Sequence, residues 1–262
     1  MKKLVILIVF CTTVIYANIN AIVSIVPQES FLKAIGGEKV NISLMVKRGS
    51  SPHTYEPKPS QMVEVDKADI YFTIGVEFEK VWLPKFINQN RDMIIADISQ
   101  NISKTKNPHI WLSPSNVKQI VLNIYNQLVA IDKSNAKYYK TNLDTYLAKI
   151  DNLDLEIKEI LKNTPKGSYF MVFHPAWGYF AKEYNLTQLA IEIDGKQPKP
   201  KDIINIVKEA KKQKVKAIFT APEFSPKVAL QIAKEIDIKV IKISPLNPNW
   251  FDNLLKFAKA IQ

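Results

Sequence analysis

Eight short, nearly unbroken apolar runs recur along the chain, with helical patterns between them. Residues 21–26, 40–46, 70–74 and 93–96 form one group, and 169–173, 187–191, 217–220 and 239–243 form a second. Runs that are continuously apolar, rather than alternating, belong to strands buried on both faces. Helical segments such as 60–67, 78–88, 201–213 and 226–236 separate them. Strands alternating with helices specify parallel sheets covered on both sides. The expected fold class is therefore α/β, in two lobes of about four strands each. Between the groups, Tyr139, Leu143, Tyr146, Ile150, Leu153, Ile157 and Ile160 recur at spacings of four and three. They form one stripe of a helix over 135–161, about 40 Å long. Asn163, Thr164 and Pro165, with Gly167 beyond, stop it. The stripe covers only about three heptads and carries tyrosines, which favours packing along both lobes over a coiled-coil seam.

The first 17 residues read as a signal peptide. Lys2 and Lys3 supply the positive start, 4–15 is apolar, and Ile15-Tyr16-Ala17 is an acceptable cleavage pattern before Asn18. The run is shorter than the roughly 20 residues a spanning helix needs. The expected division is a signal peptide over 1–17, an N-terminal lobe over 18–133, a linking helix over 134–163 and a C-terminal lobe over 164–262. Cys11, the only cysteine, falls inside the apolar run, so the mature chain has neither disulfide nor thiolate, and any metal must be held by nitrogen and oxygen. The formal charge is +11, and 11 − 2 = +9 without Lys2 and Lys3. The lysines are scattered over helical patterns, and Arg48 and Arg91 are the only arginines, a pattern of solvated faces rather than of a nucleic-acid surface.

All three histidines follow expected strands. His53 stands beyond the second, His109 beyond the fourth and His174 immediately after the fifth. Ligands of open α/β sheets bind outside the carboxyl ends of the strands, where such loops converge. Each histidine has a proline neighbour and an aromatic residue within three positions after it, a stiff and sheltered setting for a metal ligand. Three neutral imidazoles suit zinc, whereas manganese prefers harder oxygen ligands.

The segments Pro52-His53-Thr54-Tyr55-Glu56-Pro57, Pro108-His109-Ile110-Trp111-Leu112 and His174-Pro175-Ala176-Trp177-Gly178-Tyr179 resemble, in order, motifs of the cluster A-1 metal-binding solute-binding proteins of ABC transporters. Ile191 to Lys196 and Pro222-Glu223-Phe224 look like further landmarks of that family. The resemblance covers the mature chain. It implies two Rossmann-like lobes bridged by one rigid helix, with a metal ion in the cleft. It also implies a periplasmic protein that hands Zn(II), or less favourably Mn(II), to a membrane permease served by a cytoplasmic ATPase. A monomer is expected.

Four positions depart from the family pattern: Ser51, Asn107, Ser113 and Ser244 stand where aspartate is usual. The long histidine- and acid-rich loop of many zinc members is replaced by the short stretch 99–106. With Ser244 a poor ligand, Glu223 is the candidate for the fourth position, directly or through water, against water alone. The rival from another class is an exported zinc enzyme with three histidine ligands, for which Glu56 or Glu223 could be the base. The chain has no His-Glu-x-x-His run and no phosphate-cradling glycine loop, which disfavours that reading.

Overall fold

The computed structural model describes residues 18–262 apart from Lys104 and Asp194. The segment read as a signal peptide lies outside the described residues. Strands β1 (Ile19–Val23), β2 (Val40–Leu44), β3 (Ile70–Thr73) and β4 (Ile94–Asp97) form one parallel sheet in the order β2-β1-β3-β4. Strands β5 (Tyr169–Val172), β6 (Thr187–Ala190), β7 (Ala217–Thr220) and β8 (Lys239–Lys242) form a second, in the equivalent order β6-β5-β7-β8. The two α/β lobes expected from the apolar runs are present.

The helices of the first lobe are α1 (Val26–Gly36), α2 (Pro59–Lys67), α3 (Glu77–Gln89) and α4 (Pro114–Ile131). After the long α5 (Ala136–Leu161) come α6 (Gly178–Glu183), α7 (Pro200–Lys212), α8 (Lys227–Ile236) and α9 (Trp250–Ile261). The first strand ends earlier than its apolar run, because the chain turns into α1 at residue 26. The Gln28 side-chain carbonyl accepts from the backbone N–H groups of Ser24 and Ile25, both at 3.0 Å, and ties off the turn. Pro27 sits in the first helical turn, where its missing N–H costs nothing.

Helix α5 joins the lobes. Its 26 residues span about 39 Å at 1.5 Å per residue. Tyr139, Leu143, Tyr146, Ile150, Leu153 and Ile157 are buried as the stripe predicts, but Leu161 rather than Ile160 takes the last buried place. At 3.6 residues per turn, a step of four from Ile157 keeps the same face as well as a step of three. The stripe packs on α1 and α4 of the first lobe and on α9 of the second. It belongs to one apolar core that runs through both lobes, from Phe31 and Phe72 to Phe170 and Phe257. A smaller core, around Phe173, Ile206, Ile218 and Ile232, lies under α7 and α8. The lobes also meet away from α5. The Trp111 indole N–H donates to the Pro245 carbonyl at 2.8 Å, and the Trp250 indole N–H donates to the Trp111 carbonyl at 2.7 Å.

Because this core is shared, truncating its middle should weaken both lobes together. Ile150→Ala, at a fully buried position, is expected to lower unfolding free energy by about 2–5 kcal/mol in one denaturant transition. Two transitions, one at the wild-type midpoint, would show that the lobes do not depend on a common core.

Candidate metal centre

The three histidines, far apart in sequence, converge. One ligand nitrogen from each of His53, His109 and His174 lies within 4.8 Å of the others. His53 comes from the loop after β2, His109 from the segment after β4, where a short 3-10 turn (Ile110–Leu112) begins, and His174 from the loop after β5. The cleft around them has a volume of about 360 Å³. Residues following β3 (Val76, Glu77), β7 (Glu223) and β8 (Pro245) complete its wall. The carboxyl ends of both sheets therefore supply the site, as the rule for open α/β sheets requires.

Two of the imidazoles are oriented by an oxygen acceptor on Nδ1, and the third has a carboxylate nearby. His174 Nδ1 meets Glu192 Oε2 at 2.5 Å. His109 Nδ1 meets Asn107 Oδ1 at 2.6 Å. His53 Nδ1 lies 3.4 Å from Glu77 Oε2. A carboxylate and an amide oxygen only accept, so the protons of His174 and His109 sit on Nδ1 and their lone pairs on Nε2. Those two Nε2 atoms face each other at 3.3 Å. Ligands about 2.05 Å from a tetrahedral ion stand about 3.3 Å apart, so the pair has the separation a zinc ion would impose. Phe224 stacks on the His174 ring, with centroids 4.6 Å apart. Trp111 lies 5.1 Å from the His109 ring. Trp177, despite its place in the motif, is stacked on Phe257 at 3.6 Å, within the core.

The sequence from residue 22 to residue 262 matches the family model described as ZnuA, zinc-uptake complex component A, periplasmic. The chain belongs to the ZnuA family. It is 28% identical over 253 residues to the high-affinity zinc uptake system protein ZnuA of Bacillus subtilis (strain 168), covering 87% of this chain and 79% of that protein. It is 29% identical over 227 residues to the manganese ABC transporter substrate-binding lipoprotein PsaA of Streptococcus anginosus, covering 79% and 74%. Among solved structures, a crystal structure of ZnuA superposes with a TM-score of 0.90 at 38% identity, covering 93% of this chain and 98% of that one. A zinc-bound ZnuA lacking residues 138–173 superposes with a TM-score of 0.88 at 37% identity, covering 93% and 96%.

Three of the four positions expected to depart from the family pattern make local contacts, as Asn107 does with His109. The Ser51 hydroxyl oxygen accepts from the His53 N–H at 3.3 Å. The Ser113 side chain caps α4 by accepting from the Asn116 N–H at 3.1 Å. The Ser244 hydroxyl donates to Glu223 Oε1 at 2.7 Å. Glu223 lines the cleft but stands outside the close group of three imidazoles. Its Oε2 is buried without a hydrogen-bond partner, a costly condition for a carboxylate. Glu56, one candidate base of the enzyme reading, is exposed and does not line the cleft.

Glu77 and Glu192 were not singled out from the sequence. Glu192 had a usable signal. β5 pairs with β6 in the register Val172↔Ala190, and two steps further that register sets His174 beside Glu192. Glu77 begins α3, and a buried carboxylate fixes the turn before it. Glu79 accepts from the N–H groups of Ile74 at 2.9 Å and Gly75 at 2.7 Å, and from the Ser24 hydroxyl at 2.5 Å. Gly75, at φ 94°, supplies the left-handed backbone that this turn uses.

Burial sets the charge state of the ligands. His109 is 8% exposed; desolvation, then the neighbouring His174 and His53, hold its pKa well below the ordinary histidine value. His174 is also lowered by desolvation, against an upward pull from Glu192. In the unfolded chain both titrate near about pH 6.5. Below that pH the unfolded state binds protons that folded His109 refuses, so this contribution to stability is lost as pH falls from about 6.5 toward the lowered folded value. Glu79 works the opposite way, because burial raises its pKa. Comparison with a variant isolates the histidine. In metal-free protein, denaturant unfolding from about pH 7 to about pH 5 should show a shallower loss of stability for His109→Gln than for wild type. Equal slopes would mean that His109 is not held neutral by the fold.

Proposed function

We propose that this chain is the periplasmic metal-binding component of an ABC zinc importer. It captures Zn(II) between its lobes with His53, His109 and His174 and delivers it to the membrane permease and its cytoplasmic ATPase. The observation that carries the reading is the pair of Nε2 lone pairs, one from each lobe, at zinc-ligand separation. Membership of a zinc-uptake family supports it. All-nitrogen donors favour zinc over manganese, and manganese remains the second reading because a manganese-binding lipoprotein is among the relatives. The family consists of substrate-binding proteins, which supports a carrier rather than an enzyme. Zinc-loaded protein is expected to show no hydrolase turnover.

The proposed division is an N-terminal lobe over 18–133, a linking helix over 134–163 and a C-terminal lobe over 164–262, exported behind a signal peptide cleaved after residue 17 and acting as a monomer. The proposed first coordination is His53 and His109 from one lobe and His174 from the other. Glu223 stands beyond the imidazoles with one unpartnered oxygen, so we assign it the fourth position through a bound water. The carboxylates of Glu77, Glu192 and Glu223 together offset the double charge of the ion.

Calorimetric titration should give one tight zinc per chain, abolished or strongly weakened by His109→Ala and by His174→Ala. Unchanged binding in either would overturn the assignment. Glu223→Gln should weaken zinc about tenfold; wild-type affinity would leave the fourth position to water alone.

The continuous α5 and the shared core resist hinge closure. X-ray scattering profiles of metal-free and zinc-loaded protein should nearly coincide, while Trp111 fluorescence responds to the ion beside His109. A large contraction on loading would contradict the rigid connection.

A further inference from the structure

Asn107 is half-buried, two residues before His109, and faces both lobes. Its Oδ1 accepts from the backbone N–H of His109 at 2.9 Å and pairs with His109 Nδ1 at 2.6 Å. That N–H can only be met by an oxygen, which fixes the amide's orientation. The NH₂ end is therefore turned to the second lobe, where it lies 3.4 Å from the carbonyls of both Pro175 and Ala176. These carbonyls belong to the loop that carries His174. One planar amide thus orients a ligand of the first lobe and, with its opposite end, holds the loop of the ligand in the second.

The surroundings are shaped for this contact. A Cβ on Gly178 would stand 3.0 Å from Asn107 Nδ2, so the close approach depends on glycine. Next to it, the Thr105 N–H donates to the Tyr179 hydroxyl oxygen at 3.1 Å, a second tie between the same two segments. The Asn107 backbone N–H is itself held by Thr105 Oγ1 at 3.1 Å. Aspartate could serve His109 equally well, but it would set a negative oxygen against two carbonyl oxygens. The two-sided contact needs an amide.

We propose that Asn107 is an interlobe positioning residue that couples the orientation of His109 to the contact between the segments at 107 and 175–176, and so sets how readily the ion is released when those segments part. A force that separates the segments at 107 and 175–176 removes the donor contact and frees the amide, and with it the acceptor that keeps the His109 lone pair aimed at the ion. The inference rests on the three-histidine reading of the site.

Two variants separate this role from general stability. Asn107→Asp keeps the acceptor on His109 and removes the donor to the second lobe. Gly178→Ala leaves Asn107 in place and presses its amide away from carbonyls already at the limit of hydrogen bonding. In stopped-flow chelator competition, both are expected to release zinc about tenfold faster than wild type, the scale of one lost polar contact. Amide hydrogen exchange over 174–179 should be faster in both, in metal-free protein as well. The visible spectrum of cobalt-substituted protein should match wild type, because the ligands and their acceptors are retained. Asn107→Ala, which also loses the acceptor, should change that spectrum as well as the release rate. Release that is unchanged or slower in either Asn107→Asp or Gly178→Ala overturns the proposal. Wild-type protein that takes up no zinc would instead overturn the three-histidine reading, and exchange over 174–179 in metal-free Asn107→Asp still decides the interlobe contact.

Discussion

Two neutral imidazoles from different lobes point Nε2 lone pairs at each other across 3.3 Å. That arrangement is unfavourable in the absence of a cation, and the rest of the molecule is organised to sustain it. The acceptors on Nδ1 oppose a change of tautomer in either ring, because Glu192 and the Oδ1 end of Asn107 present only oxygen to them. Burial disfavours protonation of His109. What remains is a pair of nitrogen donors suited to a cation that prefers nitrogen.

Holding such a site requires a frame that does not yield. The stripe on α5 is part of the cores of both lobes at once, so separation of the lobes would expose apolar surface along the helix. The indole bonds of Trp111 and Trp250 add directional ties close to the ligands. A rigid frame leaves local loop contacts as the natural place for ligand capture and release to be adjusted. The contacts of Asn107, Thr105 and Tyr179 lie there, between the segments that bear His109 and His174.

Charge is graded across the cleft. His109 is the most buried ligand and is oriented by a neutral amide, whereas the exposed His53 faces a carboxylate, Glu77, that is itself solvent-accessible. His174 lies between these extremes with Glu192. Carboxylates placed around rather than on a bound cation would balance its charge without replacing nitrogen ligands. Glu223, with one oxygen satisfied by Ser244 and the other unpartnered, fits the same outer layer.

The sequence by itself determined the two parallel sheets, the bridging helix and the three histidines. Those follow from local periodicity and from residue chemistry at strand ends, which need no knowledge of distant partners. It also marked Glu223 as the candidate carboxylate where Ser244 is a poor ligand. Which oxygen would orient which imidazole was decided only by the tertiary structure. Glu192 reaches His174 through the pairing of β5 with β6, Glu77 reaches His53 through the placement of α3, and Asn107 reaches Pro175 and Ala176 only because the lobes are pressed together. Contacts of this kind depend on the relative positions of whole elements to within an ångström. Packing of the shared core sets those positions, and no local pattern of residues records them.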